Sequence, residues 1–219
     1  MNTHYLASLF TPESVALYGA SDRTDSVGGV VFKNLLSSGF EGRIYAINPK
    51  RDEVQGQKAW SSLDEIEETV DLAVVATPAT SIPGIVEACG ERGVKMMLIL
   101  SAGFRETGAQ GRRLEDQVTQ LVKHYGIRLM GPNCLGIIRP DKGLNITFGN
   151  NNAKPGNLAF VSQSGAICTA ILDWAEQNDI GFSTVVSTGI AADLDFGDYL
   201  DYLVSDCLLY TSPSPRDNI

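Results

Sequence analysis

Histidine is scarce in this chain, with two among 219 residues, and the four cysteines stand apart at positions 89, 134, 168 and 207. No pair has CxxC spacing, and with so few histidines no zinc-ligand pattern emerges, so a metal site is not expected. The thiols read as reduced, buried groups of a cytoplasmic protein. Long apolar runs are missing too. No stretch approaches the roughly 18 uninterrupted apolar residues of a membrane span, so no membrane partner is expected. Met1-Asn2-Thr3-His4 offers neither a basic n-region nor an apolar h-region, and no secretory signal is expected. Basic charge is in deficit: 17 Lys and Arg face 26 Asp and Glu, a net charge of −9. Duplex binding needs a basic face, so nucleic acid is not an expected partner, while a local basic pocket for one small anion stays open.

What is present is an ordinary globular composition, 43% apolar and 20% charged, long enough for one large domain or two small ones. Short apolar runs alternate with helical stripes. Val15–Tyr18, Ile44–Ile47, Leu72–Ala76, Met96–Leu100 and Ile127–Met130 read as strands. Val30/Val31/Leu35/Leu36, Ile82/Ile85/Val86/Cys89 and Leu114/Val118/Leu121/Val122 mark the helices between them. Continuous rather than alternating apolar strands imply burial on both faces. That means βαβ units, a parallel sheet and an α/β, doubly wound, Rossmann-like domain over residues 1–130, expected to have a core of its own. A second unit spans 131–206. Residues 139–157 are turn-rich. Strand Leu158–Val161, the turn Ser162-Gln163-Ser164-Gly165, a helix with Ile167, Ile171 and Ala175, strand Ser183–Ser187 and an amphipathic helix over Asp198–Val204 follow. This is the opening of another α/β domain whose sheet lacks strands, so it should be marginal and leave apolar surface exposed. Residues 207–219 break the pattern. Cys207–Asp217 resembles, codon for codon, the translation of a sequencing-library transposase adaptor. The segment is therefore read as a non-native tail, and the chain as part of a longer gene product; a flexible native tail is the other reading.

In doubly wound sheets ligands sit beyond the carboxyl ends of the strands. Every strand of the first unit ends there in small or turn residues: Gly19-Ala20-Ser21, Asn48-Pro49-Lys50, Thr77-Pro78-Ala79, Ser101-Ala102-Gly103 and Gly131-Pro132-Asn133. Small residues let backbone N–H groups approach a phosphate, and the helix after the first turn, where Gly28 and Gly29 lie, adds a positive dipole end. Tight βα turns would use the same residues. The G-x-G-x-x-G fingerprint is absent, and the second strand ends in Asn48-Pro49-Lys50 instead of the acid that binds a nicotinamide ribose. A cation there suits a ribose phosphate, as in NADP or coenzyme A; an ordinary solvated lysine is the alternative for Lys50. Ser162-Gln163-Ser164-Gly165 forms a second candidate anion site at a helix N-terminus, although Ser164 also reads as a plain N-cap. A nucleophile elbow is excluded, since position 162 is not glycine and no histidine or acid partner is evident. His4 falls in a loose N-terminus and His124 in the last turn of a helix. Asp193, Asp195, Asp198 and Asp201 read as loop and helix-end charges.

Ser14–Ser21, Tyr45–Lys50, Leu100–Phe104, Gly131–Gly136, Phe160–Ala166 and Ile171–Ala175, in this order and spacing, resemble the start of the NDP-forming acyl-CoA synthetase superfamily. That superfamily includes ADP-forming acetate–CoA ligases and the α subunit of succinyl-CoA synthetase. The resemblance implies a CoA-binding Rossmann domain followed by an incomplete succinyl-CoA-synthetase-like flavodoxin domain. It implies CoA or acyl-CoA at Gly19, Ser21, Asn48, Pro49, Lys50, Thr77, Pro78 and Ser101. It also implies a phosphoryl group, on phosphate or a phosphohistidine, at Ser162, Ser164, Gly165 and Asn133. In such enzymes acyl-CoA and phosphate give an acyl phosphate, a histidine takes the phosphoryl group, and an ATP-grasp domain or subunit passes it to ADP. ATP, ADP and Mg belong to that domain, and a small carboxylate is the other substrate. Family members carry the histidine beyond the position matching Asp206, so no catalytic residue is expected in this chain, and it is expected to bind CoA and catalyse nothing alone. Thr188-Gly189-Ile190 departs from the Gly-Asn of many members. Homo- and hetero-oligomers stay equally open. Two alternatives remain: the regulatory half of a protein lysine acetyltransferase, which shares this module, and an NAD(P)-binding Rossmann protein.

Overall fold

The computed structural model describes residues 4–206 and Leu209; the 207–219 tail therefore lies, apart from Leu209, outside the described residues. In chain order the elements are α1 (Ala7–Phe10), β1 (Ser14–Tyr18), α2 (Val27–Ser37), β2 (Arg43–Ile47), β3 (Glu53–Val54), β4 (Gln57–Trp60), β5 (Leu72–Val75), α3 (Ile82–Glu91), β6 (Met96–Ile99), α4 (Ala109–Tyr125) and β7 (Arg128–Met130). Then come β8 (Gly136–Arg139), β9 (Leu144–Thr147), β10 (Pro155–Ser162), α5 (Gly165–Gln177), β11 (Phe182–Ser187) and α6 (Phe196–Val204).

The first sheet has the order β3-β4-β2-β1-β5-β6-β7, parallel except for the β3–β4 hairpin. Without β3 this is the doubly wound order, reversing between β1 and β5, where such sheets open a crevice. Side chains alternate strictly across it. Ala16, Ala73, Val75, Met97, Ile99 and Leu129 face α3 and α4, meeting Ile82, Val86, Val118 and Val122. Val15, Leu17, Leu72, Val74, Leu98 and Met130 face the other way, against Val31, Phe32 and Leu35 of α2.

That second face departs from expectation. Only α2 among the crossover helices covers it. The same buried cluster continues through Leu6, Leu9 and Phe10 of α1 into Ile137, Leu144, Ile146, Val186, Leu194 and Tyr199. The second unit thus completes the core of the first, and residues 1–130 do not have a full core to themselves. Polar contacts reinforce the join. The Asn34 amide donates to the carbonyls of Thr147 and Gly149, both at 2.8 Å. Arg128 pairs with Asp193 at 2.9 Å and Asp198 at 3.2 Å. His4 is likewise tied down, contacting Asp201 at 3.0 Å and stacking on Tyr5.

The second sheet runs β10-β11-β8-β9, with β10–β11 parallel and the other pairs antiparallel. The turn-rich reading of 139–157 hid β9. Its Asn145 and Thr147 look solvated in sequence, yet both are buried and the threonine hydroxyl donates to the asparagine carbonyl oxygen at 2.7 Å. β8 and the β3–β4 hairpin escaped too, because strands of two to four residues carry too little periodicity to be read. β10 lies at an open edge, and Leu158, Ile167 and Trp174 are each about half exposed. No helix among the described residues is long and apolar enough to cross a membrane.

Candidate functional site

The carboxyl ends of β1, β2 and β5 open on one cleft of about 990 Å³, at the point where the strand order reverses. Gly19 leaves β1 with φ of +90°, a conformation L side chains rarely adopt. Gly28, in the first turn of α2, lies so close to this loop that a Cβ would fall 1.9 Å from the Gly19 carbonyl oxygen. Backbone therefore packs on backbone where α2 begins. Ser26 caps that helix, its hydroxyl oxygen accepting from Gly29 N–H at 3.1 Å.

The cleft lining includes Gly19, Ser21, Asn48, Pro49, Lys50, Thr77 and Pro78, so most of the residues marked in sequence as cofactor contacts meet in one place. Their roles differ. The Asn48 amide is spent on the loop: Nδ2 donates to Ala20 O and Oδ1 accepts from Lys50 N–H, both at 2.9 Å. Ser21 Oγ accepts from Arg23 N–H at 3.1 Å. Ser101 does not line the cleft. It stands behind it, donating to the Thr77 carbonyl at 2.6 Å. At the end of β6 the Gly103 and Phe104 amides are taken up as well, donating to the Glu106 carboxylate at 2.6 and 3.1 Å. The strand endings read as one edge are therefore divided, and β1, β2 and β5 alone frame the cleft.

Ile47, Leu63, Ile85 and Ala88 make an apolar wall; Lys50 and Arg23 are the cations among the lining residues, and no carboxylate is among them. In a chain of net charge −9 this is a local reversal of sign. Arg23, which sequence reading passed over, pairs with Asp25 at 3.0 Å, and that hydrogen bond raises its pKa further. Ser26 was also missed, although a serine just before the apolar stripe of α2 is a recognisable cap signal.

The second group of predicted residues gathers elsewhere. Ser164 caps α5, accepting from Ile167 N–H at 3.4 Å, while Ser162 Oγ accepts from Ser164 N–H at 3.1 Å. A Cβ on Gly165 would press on Leu135 at 3.1 Å. Asn133 (φ +54°) is held on the facing loop, where Ile190 N–H donates to Pro132 O at 2.9 Å and Thr188 N–H to Ser162 O at 2.8 Å. Asn133 N–H in turn donates to Ser101 O at 3.0 Å. Hydrogen bonds thus tie Thr77, in the cleft, to Ser101 and Ser101 to Asn133, and the backbone of residues 188–190 bonds both the Pro132–Asn133 loop and the Ser162–Gly165 turn. Burial pushes Cys89 and Cys168 up to about 11 and Cys134 to about 12, so they stay protonated near neutral pH. Asp195 caps α6 and Asp193 pairs with Arg128, so these acids serve structure. Among the described residues no group of three or more His, Cys, Asp or Glu is arranged to hold a metal ion.

Comparison with known proteins gives this geometry a context. The chain is 43% identical over 198 residues to the ADP-forming acetate–CoA ligase I of Archaeoglobus fulgidus, covering 90% of this chain and 29% of that protein. It is 42% identical to the α subunit of the ADP-forming acetate–CoA ligase I of Pyrococcus furiosus, covering 92% of this chain and 44% of the subunit. The chain thus spans less than half the length of these relatives. Its fold matches the dinucleotide-forming acetyl-coenzyme A synthetase 1 of Ca. Korarchaeum cryptofilum, solved with phosphate and ADP. The TM-score is 0.89 at 36% identity, over 98% of this chain and 47% of that one. The succinyl-CoA ligase-like flavodoxin domain model matches residues 155–208. The CoA binding domain model matches residues 13–140, more than half of the chain, and the chain belongs to that CoA-binding family.

Proposed function

We propose that the cleft binds coenzyme A or its acyl thioester, and that the chain is the CoA-binding part of an ADP-forming acyl-CoA ligase of the acetate type. Such a ligase interconverts acyl-CoA, ADP and phosphate with carboxylate, ATP and CoA through a phosphohistidine. The observation that carries the reading is the cleft at the strand-order reversal, bearing Lys50 and Arg23 and no carboxylate in an acidic chain. An apolar wall and a cationic mouth suit a ligand that is part nucleobase and part phosphate. The unpaired N–H groups at the start of α2 and the small residues around Gly19 suit its diphosphate. In the same reading Ser162, Ser164, Gly165 and Asn133 receive the phosphoryl group, with backbone amides of α5 facing the charge. Neither His4 nor His124 adjoins that turn, so the histidine comes from outside the chain. An ATP-grasp domain or subunit supplies ATP, ADP and Mg. Residues 1–130 then carry CoA and residues 131–206 the phosphoryl turn.

Calorimetric titration of the chain with CoA, acetyl-CoA, NAD and NADP tests this. Saturable binding of CoA and acetyl-CoA, with no heat from either dinucleotide, is expected. Dinucleotide binding without CoA binding would overturn the reading in favour of an oxidoreductase.

A further inference from the structure

We infer that Gln55, at the tip of the β3–β4 hairpin, is a positioning residue that keeps the β1–α2 loop receptive to an anion. The inference rests on the proposed reading of the cleft as a CoA site. Glu53 pairs with Lys58 and Val54 with Gln57, so Gln55 and Gly56 form a two-residue turn. Both have positive φ, +48° and +75°. Turns of this kind favour Asn-Gly or Asp-Gly, and a longer side chain in the left-handed region is strained. Gln55 is therefore a poor choice for the turn itself, and its side chain shows what it does instead.

Nε2 of Gln55 donates to the carbonyls of Ser21 and Gly29, both at 2.8 Å. Its backbone N–H donates to Asp22 Oδ1 at 2.7 Å. One residue thus takes hold of a carbonyl and a carboxylate of the loop and of a carbonyl in the first turn of α2, all of them acceptors that would repel a phosphate. Gln55 does not line the cleft, whereas Ser21 does. Across a trans peptide the carbonyl and the next N–H point in opposite directions. With the Ser21 carbonyl drawn to Gln55, the Asp22 N–H points away from it, and that N–H has no partner among the described residues. The hairpin tip clears negative ends from the loop and leaves a donor.

Titration of the full chain with CoA, paired with thermal unfolding, tests this on the wild type, Gln55→Gly and Gln55→Glu. Glycine removes the amide while relieving the positive φ. The unfolding midpoint should stay level or rise while CoA binding weakens at least tenfold. Glutamate keeps the length and loses both donors, and should weaken CoA at least as much. A CoA-induced shift of the Asp22 amide resonance, present in the wild type and lost in Gln55→Gly, would report the same event directly. Unchanged affinity in Gln55→Gly would overturn the inference and leave the CoA reading standing. Weakening matched by a lower unfolding midpoint would reduce Gln55 to a structural role and overturn it as well. A folded wild type silent to CoA would remove the underlying reading itself.

Discussion

Lys50 stands at the mouth of the cleft on backbone that Asn48 holds in place, its own N–H donating to Asn48 Oδ1. A hydrogen bond between a lysine and a phosphate is charge-assisted. Lys50→Ala is expected to weaken CoA roughly ten- to a hundredfold while barely affecting dephospho-CoA, if the 3′-phosphate is its partner. Equal weakening of both in parallel titrations would move the contact to the diphosphate, and no effect on either would take Lys50 out of the site. That Lys50 stands on the cleft was legible in the sequence because it follows within three residues of an apolar strand, and the same holds for the cleft positions of Gly19, Thr77 and Pro78. Arg23 and Gln55 were not. Arg23 reaches the cleft only because the loop folds back on the α2 cap, and Gln55 touches Ser21 and Gly29 across more than twenty intervening residues.

At the scale of elements, helix ends carry much of the polar chemistry. Asp195 and Asp198 form a reciprocal capping box on α6, and Asp198 also accepts from Tyr5 at 2.7 Å and Arg128 at 3.2 Å. Burial pushes the Asp198 carboxyl up, but the Asp195 N–H, the Tyr5 hydroxyl and the Arg128 guanidinium outweigh it and hold the group below its ordinary value. A carboxyl with a depressed folded pKa stabilises above its unfolded pKa, about 3.9, and that contribution drains away as pH falls through the folded value. Asp198→Asn should therefore lower the unfolding midpoint at pH 7 and narrow the gap to wild type below about pH 4. A constant difference across that range, measured by circular dichroism, would contradict the assignment. α6 was legible from its amphipathic stripe, whereas β9 was not, because its polar residues satisfy one another in the interior.

For the whole molecule, the decisive feature is the shared core. Leu98 and Met130 of the first sheet belong to one buried cluster with Ile137, Leu144 and Ile146 of the second unit. Each such side chain contributes about 1.5–3 kcal/mol by burial, against a total stability of about 5–15 kcal/mol for a typical domain. A chain cut after Met130 should lose its cooperative thermal transition and bind a hydrophobic dye, while residues 1–206 should not. A cooperative transition in the shorter chain would show that the first sheet stands alone.

The sequence by itself determined the alternation of strands and helices, the parallel sheet and the turns that carry the site. Each of these is a local pattern: an apolar run of strand length, a 3.6-residue stripe, or a small residue where the chain must turn. Only the tertiary structure decided which strand ends meet in the cleft and which, like that of β6 with Ser101, stand behind it. It alone brought Gln55 to the loop and joined the two units through one core. Those outcomes depend on contacts between residues far apart in the chain, and such contacts leave no period in the sequence to be read.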